Sequence, residues 1–209
     1  MTDGDIHSMV IASDYRVPDP SRVWPLLERN KAALADIGAH HVLVYASTHD
    51  YGRVLVMIGV HSREPIVELL RSRVFFDWFD EAGVEDIPAV FAGEIVERFV
   101  VEPPPPSRAP GVVLAAFASV DNVATLTAEV GGAMERFSAA GIRKTWVFQA
   151  FDDSREVLIL QEFPDEEGAR QWIDHPDATA QWMRGGAGVG AYPPLFVGRY
   201  FDMMRIEAE

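Results

Sequence analysis

The chain has 209 residues, 48% of them hydrophobic, no cysteine, and a formal charge of −14. Both halves share the acidity, with 17 acids against 9 bases through residue 104 and 15 against 9 after it. This excludes disulfides, thiolate catalysis and cysteine-held metal, and with no basic patch it makes nucleic acid and anionic membrane poor partners. No apolar run approaches the ~20 residues of a membrane span, and Met1–Ser8 lacks the apolar core of a secretion signal, so the sequence predicts a cytoplasmic protein with a frayed tail.

Met9 to Val17 is rich in β-branched and aromatic residues and predicts a strand, which Pro18-Asp-Pro-Ser21 ends. Asp19 or Ser21 caps the helix that follows, Leu26, Leu27, Ala33, Leu34 and Ile37 form its buried face, and Gly38 closes it. His40–Ser47 and Arg53–Val60 are two more strands around a turn at Asp50-Tyr-Gly52. Their apolar residues are successive rather than alternating, which predicts cover on both faces. His40 and His41, being adjacent in a strand, are expected on opposite faces. Glu64 to Ser72 is a second helix with Ile66, Leu69 and Leu70 inward, Val74–Phe79 a short aromatic segment, and Val90–Val101 a last strand.

Glu102-Pro-Pro-Pro-Pro-Ser-Arg-Ala-Pro110 then interrupts the chain, and its four consecutive prolines predict a stiff spacer. Beyond it the pattern recurs: strand 111–119, helix 121–140, strands 142–151 and 155–163, helix 165–174, a turn at Pro176, a short helix to Met183 and strand 195–206. The recurrence is residue by residue. Met9 matches Val112, Gly38 matches Gly141 and Val54-Leu-Val56 matches Val157-Leu-Ile159 at an offset of 103, while Trp78 matches Trp182 at 104. The order β-α-β-β-α-β predicts an α+β fold of two ferredoxin-like units, 9–102 and 111–207, joined by the linker 103–110. Each antiparallel sheet has one face left to cover, and the matching face of the other unit covers it, giving a pseudo-dimeric α+β barrel.

The run Glu156-Val-Leu-Ile-Leu-Gln-Glu-Phe-Pro-Asp-Glu-Glu-Gly-Ala-Arg-Gln-Trp-Ile-Asp-His-Pro-Asp-Ala-Thr-Ala-Gln-Trp182 resembles the dimeric α+β barrel proteins of the antibiotic-biosynthesis-monooxygenase type. Leu69-Leu-Arg-Ser-Arg-Val-Phe-Phe-Asp-Trp78 is a weaker copy. The resemblance implies two repeats fused where family members pair two chains, with further homodimerisation left open. It also implies a small hydrophobic or aromatic ligand and no required cofactor. The activities it suggests are those of a cofactor-independent monooxygenase or an isomerase acting on an aromatic or polyketide-like compound. A non-catalytic binding protein and a haem-binding member of the same fold are the alternatives.

Polar residues on surfaces that should be apolar supply the candidate site. Asn30 lies on a helix stripe where its counterpart is Ala133, and Asp14 lies on a strand where its counterpart is Phe117. Gln149, Gln161 and Glu162 interrupt strands of Val, Leu, Ile, Phe and Trp. Glu162 fills the family's acid position, and His175 its His-Pro position beside Trp172 and Trp182. His175, Glu162 and Asn30 are thus the catalytic candidates, and Trp182, Trp172, Gln161, Gln149, Trp78 and Asp14 the substrate-binding ones. The histidines lack metal-ligand spacing, so no metal is expected. Gly185-Gly-Ala-Gly-Val-Gly190 leaves a helix and enters a strand, the wrong context for a nucleotide loop, and reads as a lid over the second unit. That unit is the expected working half.

Overall fold

The computed structural model describes residues 9–71, 73–101, 111–175, 190–191 and 195–206. The predicted spacer 103–110, the short helix to Met183, Trp182 and the glycine lid through Val189 lie outside the described residues. The strands are β1 Met9–Arg16, β2 Ala39–Ser47, β3 Arg53–Val60, β4 Ala89–Val100, β5 Val112–Ser119, β6 Lys144–Ala150, β7 Glu156–Phe163, β8 Gly190–Ala191 and β9 Phe196–Arg205. The helices are α1 Val23–Arg29, α2 Lys31–Asp36, α3 Glu64–Arg71, α4 Arg73–Ala82, α5 Val123–Gly132, α6 Met134–Ala139 and α7 Glu166–Asp174. Hydrogen-bonded neighbours follow the order β7-β6-β4-β1-β3-β2-β9-β5-β8, with β7 also paired to β5.

Contacts divide the chain into two compact units, Met1–Ala92 with Tyr200–Glu209, and Gly93–Arg199. The division follows space rather than the sequence repeat, and it falls inside β4 and inside β9.

In the first unit β1 and β3 pair antiparallel from Met9↔Val60 to Arg16↔Arg53. Tyr15 packs edge-on against Phe79 of α4, with ring centroids 5.4 Å apart, which identifies the helix-covered face of this sheet. Val74–Phe79, expected as a short aromatic segment, belongs to α4, and Ala33, expected inward, is exposed. The expected first helix is two short ones that meet at Asn30 (φ −95°, ψ 14°). Ala133, 103 residues on, joins α5 to α6 with nearly the same angles (φ −94°, ψ 3°). Two different side chains at one backbone break show that the break belongs to the architecture and does not need an asparagine. Gly38 and Gly141 close these helices at φ +73° and +76°, as the sequence predicts.

The histidines depart from expectation. Ala39 faces Val60 and His41 faces Gly59, so His40 is an extra residue, a β-bulge. The bulge cancels the alternation, and the His40 and His41 rings meet with their Nδ1 atoms 3.4 Å apart. His61 stacks on His40 at 4.4 Å. Burial first, then the charges of His40 and Arg205, pull the His41 pKa down to about 4.

In the second unit β5 and β7 pair from Val112↔Phe163 to Ser119↔Glu156, and β6 and β7 from Lys144↔Glu162 to Gln149↔Val157. One core joins Val147, Val157, Ile159 and Phe163 of the sheet to Leu126, Val130, Phe137 and Ala169 of α5, α6 and α7. Asp165 caps α7 by accepting from Gly168 N at 2.9 Å.

The turn at Gly52 and the histidine bulge can each be tested. Gly52 sits at φ +93°, and an added Cβ would stand 2.6 Å from Val17 O, a backbone atom that cannot swing away. Gly52→Ala should therefore cost about 1–3 kcal/mol in chemical denaturation. For His41 the neutral form is favoured in the fold, so its contribution to stability is full above about pH 6.5 and is lost as pH falls towards 4. His41→Asn should flatten the decline of melting temperature across that window.

Candidate functional site

In the second unit the chemistry-bearing side chains sort by strand parity. Gln161 shares a face of β7 with Val157, Ile159 and Phe163, the face covered by α5, α6 and α7. It is 1% exposed. Trp172 of α7 donates its indole N–H to Gln161 Oε1 at 3.1 Å. Because an indole nitrogen only donates, the amide oxygen is fixed towards it and the amide nitrogen is turned elsewhere. That nitrogen is buried without a hydrogen-bond partner among the described residues. Directly across the ladder is Thr145, 0% exposed, whose hydroxyl is likewise buried without a partner. Phe137 meets Trp172 edge-on at 5.7 Å. An amide donor and a hydroxyl thus stand side by side in an aromatic, water-poor layer. A buried polar group left unpaired costs about 1–3 kcal/mol, and an oxygen of a bound ligand would remove that cost.

The other face of the same sheet carries charge. Glu162 faces Lys144 across the ladder, and Arg98 faces Trp146. Lys144 Nζ lies 5.9 Å from the centre of the Trp146 ring. The structure therefore sets Glu162 among cations and a tryptophan, on the opposite side of the sheet from Gln161. Gln149 is engaged at the hairpin end of β6, donating to Ser154 O at 2.7 Å. His175 caps the C-terminus of α7 and is exposed.

In the first unit Asp14 is 4% exposed and accepts from Arg53 Nε at 2.8 Å and Nη2 at 2.6 Å. Burial raises its pKa more than the Arg53 hydrogen bond and charge lower it. Asn30 donates its amide to Leu26 O at 3.0 Å, inside its own helix turn. The Trp78 indole lies against the buried hydroxyl of Tyr15. An open groove of about 360 Å³ between α1 and α4 is lined by Ser21, Arg22, Pro25, Leu26, Arg29, Glu81 and Ala82, and the Arg29–Glu81 ion pair (2.8 Å) lies in it. None of the sequence-predicted residues lines this groove. Among the described residues no three His, Asp or Glu side chains are arranged to hold a metal ion.

No family model and no curated protein matches the sequence. Solved structures do. An anthrone oxidase-like protein superposes with a TM-score of 0.71 at 13% identity, covering 96% of this chain and 94% of that one. A ferredoxin-fold protein related to antibiotic biosynthesis monooxygenases, from Listeria monocytogenes, gives 0.52 at 10% identity over 94% and 96%. A heme-binding protein from Thermus thermophilus gives 0.55 at 15% identity over 94% and 92%. The chain has the α+β fold of these structures.

Of the predicted residues in the second unit, Gln161 and Trp172 are bonded to each other, Glu162 lies on the opposite sheet face, Gln149 is bonded at the hairpin end of β6, and His175 ends the helix that carries Trp172. Asn30, Trp78 and Asp14 belong to the first unit, and Trp182 lies outside the described residues. Thr145, Lys144, Arg53 and Tyr15 were missed. Two of them were legible once the 150–155 turn is placed, since it sets Thr145 opposite Gln161 and Lys144 opposite Glu162.

The Asp14–Arg53 pair has a clear thermodynamic signature. Arg53→Met strands a buried carboxylate and should cost about 3–5 kcal/mol, whereas the double variant Asp14→Leu/Arg53→Met should recover most of that loss in urea denaturation.

Proposed function

We propose that the chain is a small-molecule enzyme of the cofactor-independent oxygenase type. Its ligand is a planar aromatic or polyketide-like compound bearing a carbonyl or phenolic oxygen, bound in the sheet–helix layer of the second unit. The observation that carries this reading is the Gln161 amide, held by Trp172 so that its nitrogen points into a buried layer and has no partner among the described residues. The similarity to an anthrone oxidase-like protein over nearly the whole of both chains supports the substrate class. On this reading one chain supplies both repeats.

The chemistry asked of the protein is modest. A hydrogen bond to the ligand's carbonyl oxygen stabilises the enolate that forms when an activated C–H bond gives its proton to solvent. The electron-rich carbon then reduces molecular oxygen. For a methylene carbon, one oxygen atom becomes a new carbonyl and the other leaves as water with the two hydrogens. An isomerisation would use the same hydrogen bond, with the proton returned to a different carbon. The low polarity of the Phe137 and Trp172 rings beside the amide strengthens the hydrogen bond.

The neutrality of Gln161 and Thr145 favours a second reading, a non-catalytic binding protein. Anthrone as probe separates them by oxygen uptake and quinone absorbance. The enzyme reading predicts oxygen consumption that Gln161→Leu lowers about 100- to 1000-fold in kcat/KM with unchanged circular dichroism. Binding without oxygen uptake would establish the second reading. A probe that neither binds nor reacts would overturn both.

A further inference from the structure

The groove of about 360 Å³ between α1 and α4 lies wholly in the first unit and shares no residue with the second-unit site. Its volume is that of a small-molecule pocket. Arg22, Pro25, Leu26 and Arg29 supply its α1 side. They are spaced i, i+3, i+4 and i+7, which sets side chains along one face of a helix. The sequence thus lays an apolar step between two arginines, and Ala82 of α4 lines the same groove. Leu26 and Ala82, 3% and 6% exposed, form its floor.

The two arginines are not equivalent. Arg29 reaches across to α4 and pairs with Glu81 at 2.8 Å, so its charge is answered and the pair closes one end of the groove. Arg22 stands seven residues back, about 10 Å along the helix. Among the described residues its guanidinium makes no hydrogen bond and no ion pair. Asp19, three residues before it, is taken by Ser21, accepting from the backbone N–H at 3.0 Å and from the hydroxyl at 2.6 Å. Those bonds lower the Asp19 pKa more than the charge of Arg22 does, so Arg22 is a neighbour of that carboxylate and not its partner. In a chain of net charge −14, an arginine left unpaired at the edge of a groove is out of character.

We propose that this groove binds a small aliphatic monocarboxylate, its head on the Arg22 guanidinium and its hydrocarbon body along Pro25, Leu26 and Ala82. The lining selects that class. A guanidinium presents a fork of N–H donors that matches the two oxygens of a carboxylate. With one unanswered cation, and Asp19 and Glu81 close by, a second negative charge on the ligand is repelled, which disfavours a phosphate or a dicarboxylate. Among the described residues no aromatic ring lines the groove, so nothing there stacks on a flat ring. The stretch of about 10 Å from Arg22 to the Arg29–Glu81 pair limits the body to a chain of medium length. Arg22 is exposed, so salt screens the head-group contact and the apolar step supplies the remainder.

Octanoate, titrated into the full chain and followed by nuclear magnetic resonance of the backbone amides, tests the proposal. The amides of α1 and α4 should shift and saturate. Arg22→Gln, at an exposed position and with unchanged circular dichroism, should weaken binding about five- to tenfold. Octanol, the neutral analogue, should bind the wild type no better than octanoate binds Arg22→Gln. Added salt should weaken octanoate on the wild type and barely affect Arg22→Gln. Gln161→Leu should leave octanoate binding unchanged, so the fate of this site and that of the second-unit site are read separately. An Arg22→Gln protein that binds octanoate as the wild type does would overturn the proposal. So would shifts confined to the second unit, or the absence of a saturable shift in α1 and α4.

Discussion

Strands covered on both faces leave a polar side chain nowhere to turn for water, and this constraint organises the molecule. β1, β3, β5, β6 and β7 are buried along nearly their whole length. A polar residue within them must be paired inside the protein, be paired by a ligand, or weaken the fold. The few that occur are therefore informative. Asp14 is answered by Arg53, and Gln149 by the Ser154 carbonyl. Among the described residues Gln161 is answered on one atom only, and Thr145 on none. The first group explains itself as structure, and the second points outward to a ligand.

The fold was largely legible because its signals are local. Turn glycines, helix caps and unbroken Val/Leu/Ile runs set the strands and helices with only small errors at their ends. The misses have physical causes. The helix breaks at Asn30 and Ala133 have no shared side chain, so no residue pattern announces them. The His40–His41 bulge is set by register against Val60 and Gly59, which adjacency in sequence cannot reveal. Val74–Phe79 read as an aromatic segment because Phe-Phe-Asp-Trp suits a strand as well as a helix, and the helix prevails through packing such as that of Phe79 on Tyr15.

The site was legible in part, and for a different reason. Polarity among apolar residues marks Gln161, Glu162 and Asp14, which are buried, and also Asn30 and Gln149, which are only part-buried. That pattern could not tell which of the buried ones already has a partner, because the partner comes from another element. It also passed over Tyr15 and Thr145, which are common strand residues and do not stand out as intrusions. Motif position, the basis for His175, marks the exposed end of α7. Residue type thus indicated where polarity enters the core, and only the register across strands shows where that polarity is left unanswered.

The central claim is that the Gln161 amide nitrogen awaits an oxygen of a planar ligand. The most direct measurement is the side-chain amide resonance of Gln161, assigned by comparison with Gln161→Leu and followed by nuclear magnetic resonance as anthrone or its quinone is added. The account predicts a downfield shift of one Nε2 proton and its slowed exchange with water, with the Trp172 indole resonance retained because its bond to Oε1 persists. Ligand binding that shifts resonances elsewhere but leaves the Gln161 amide protons where they were would contradict the account.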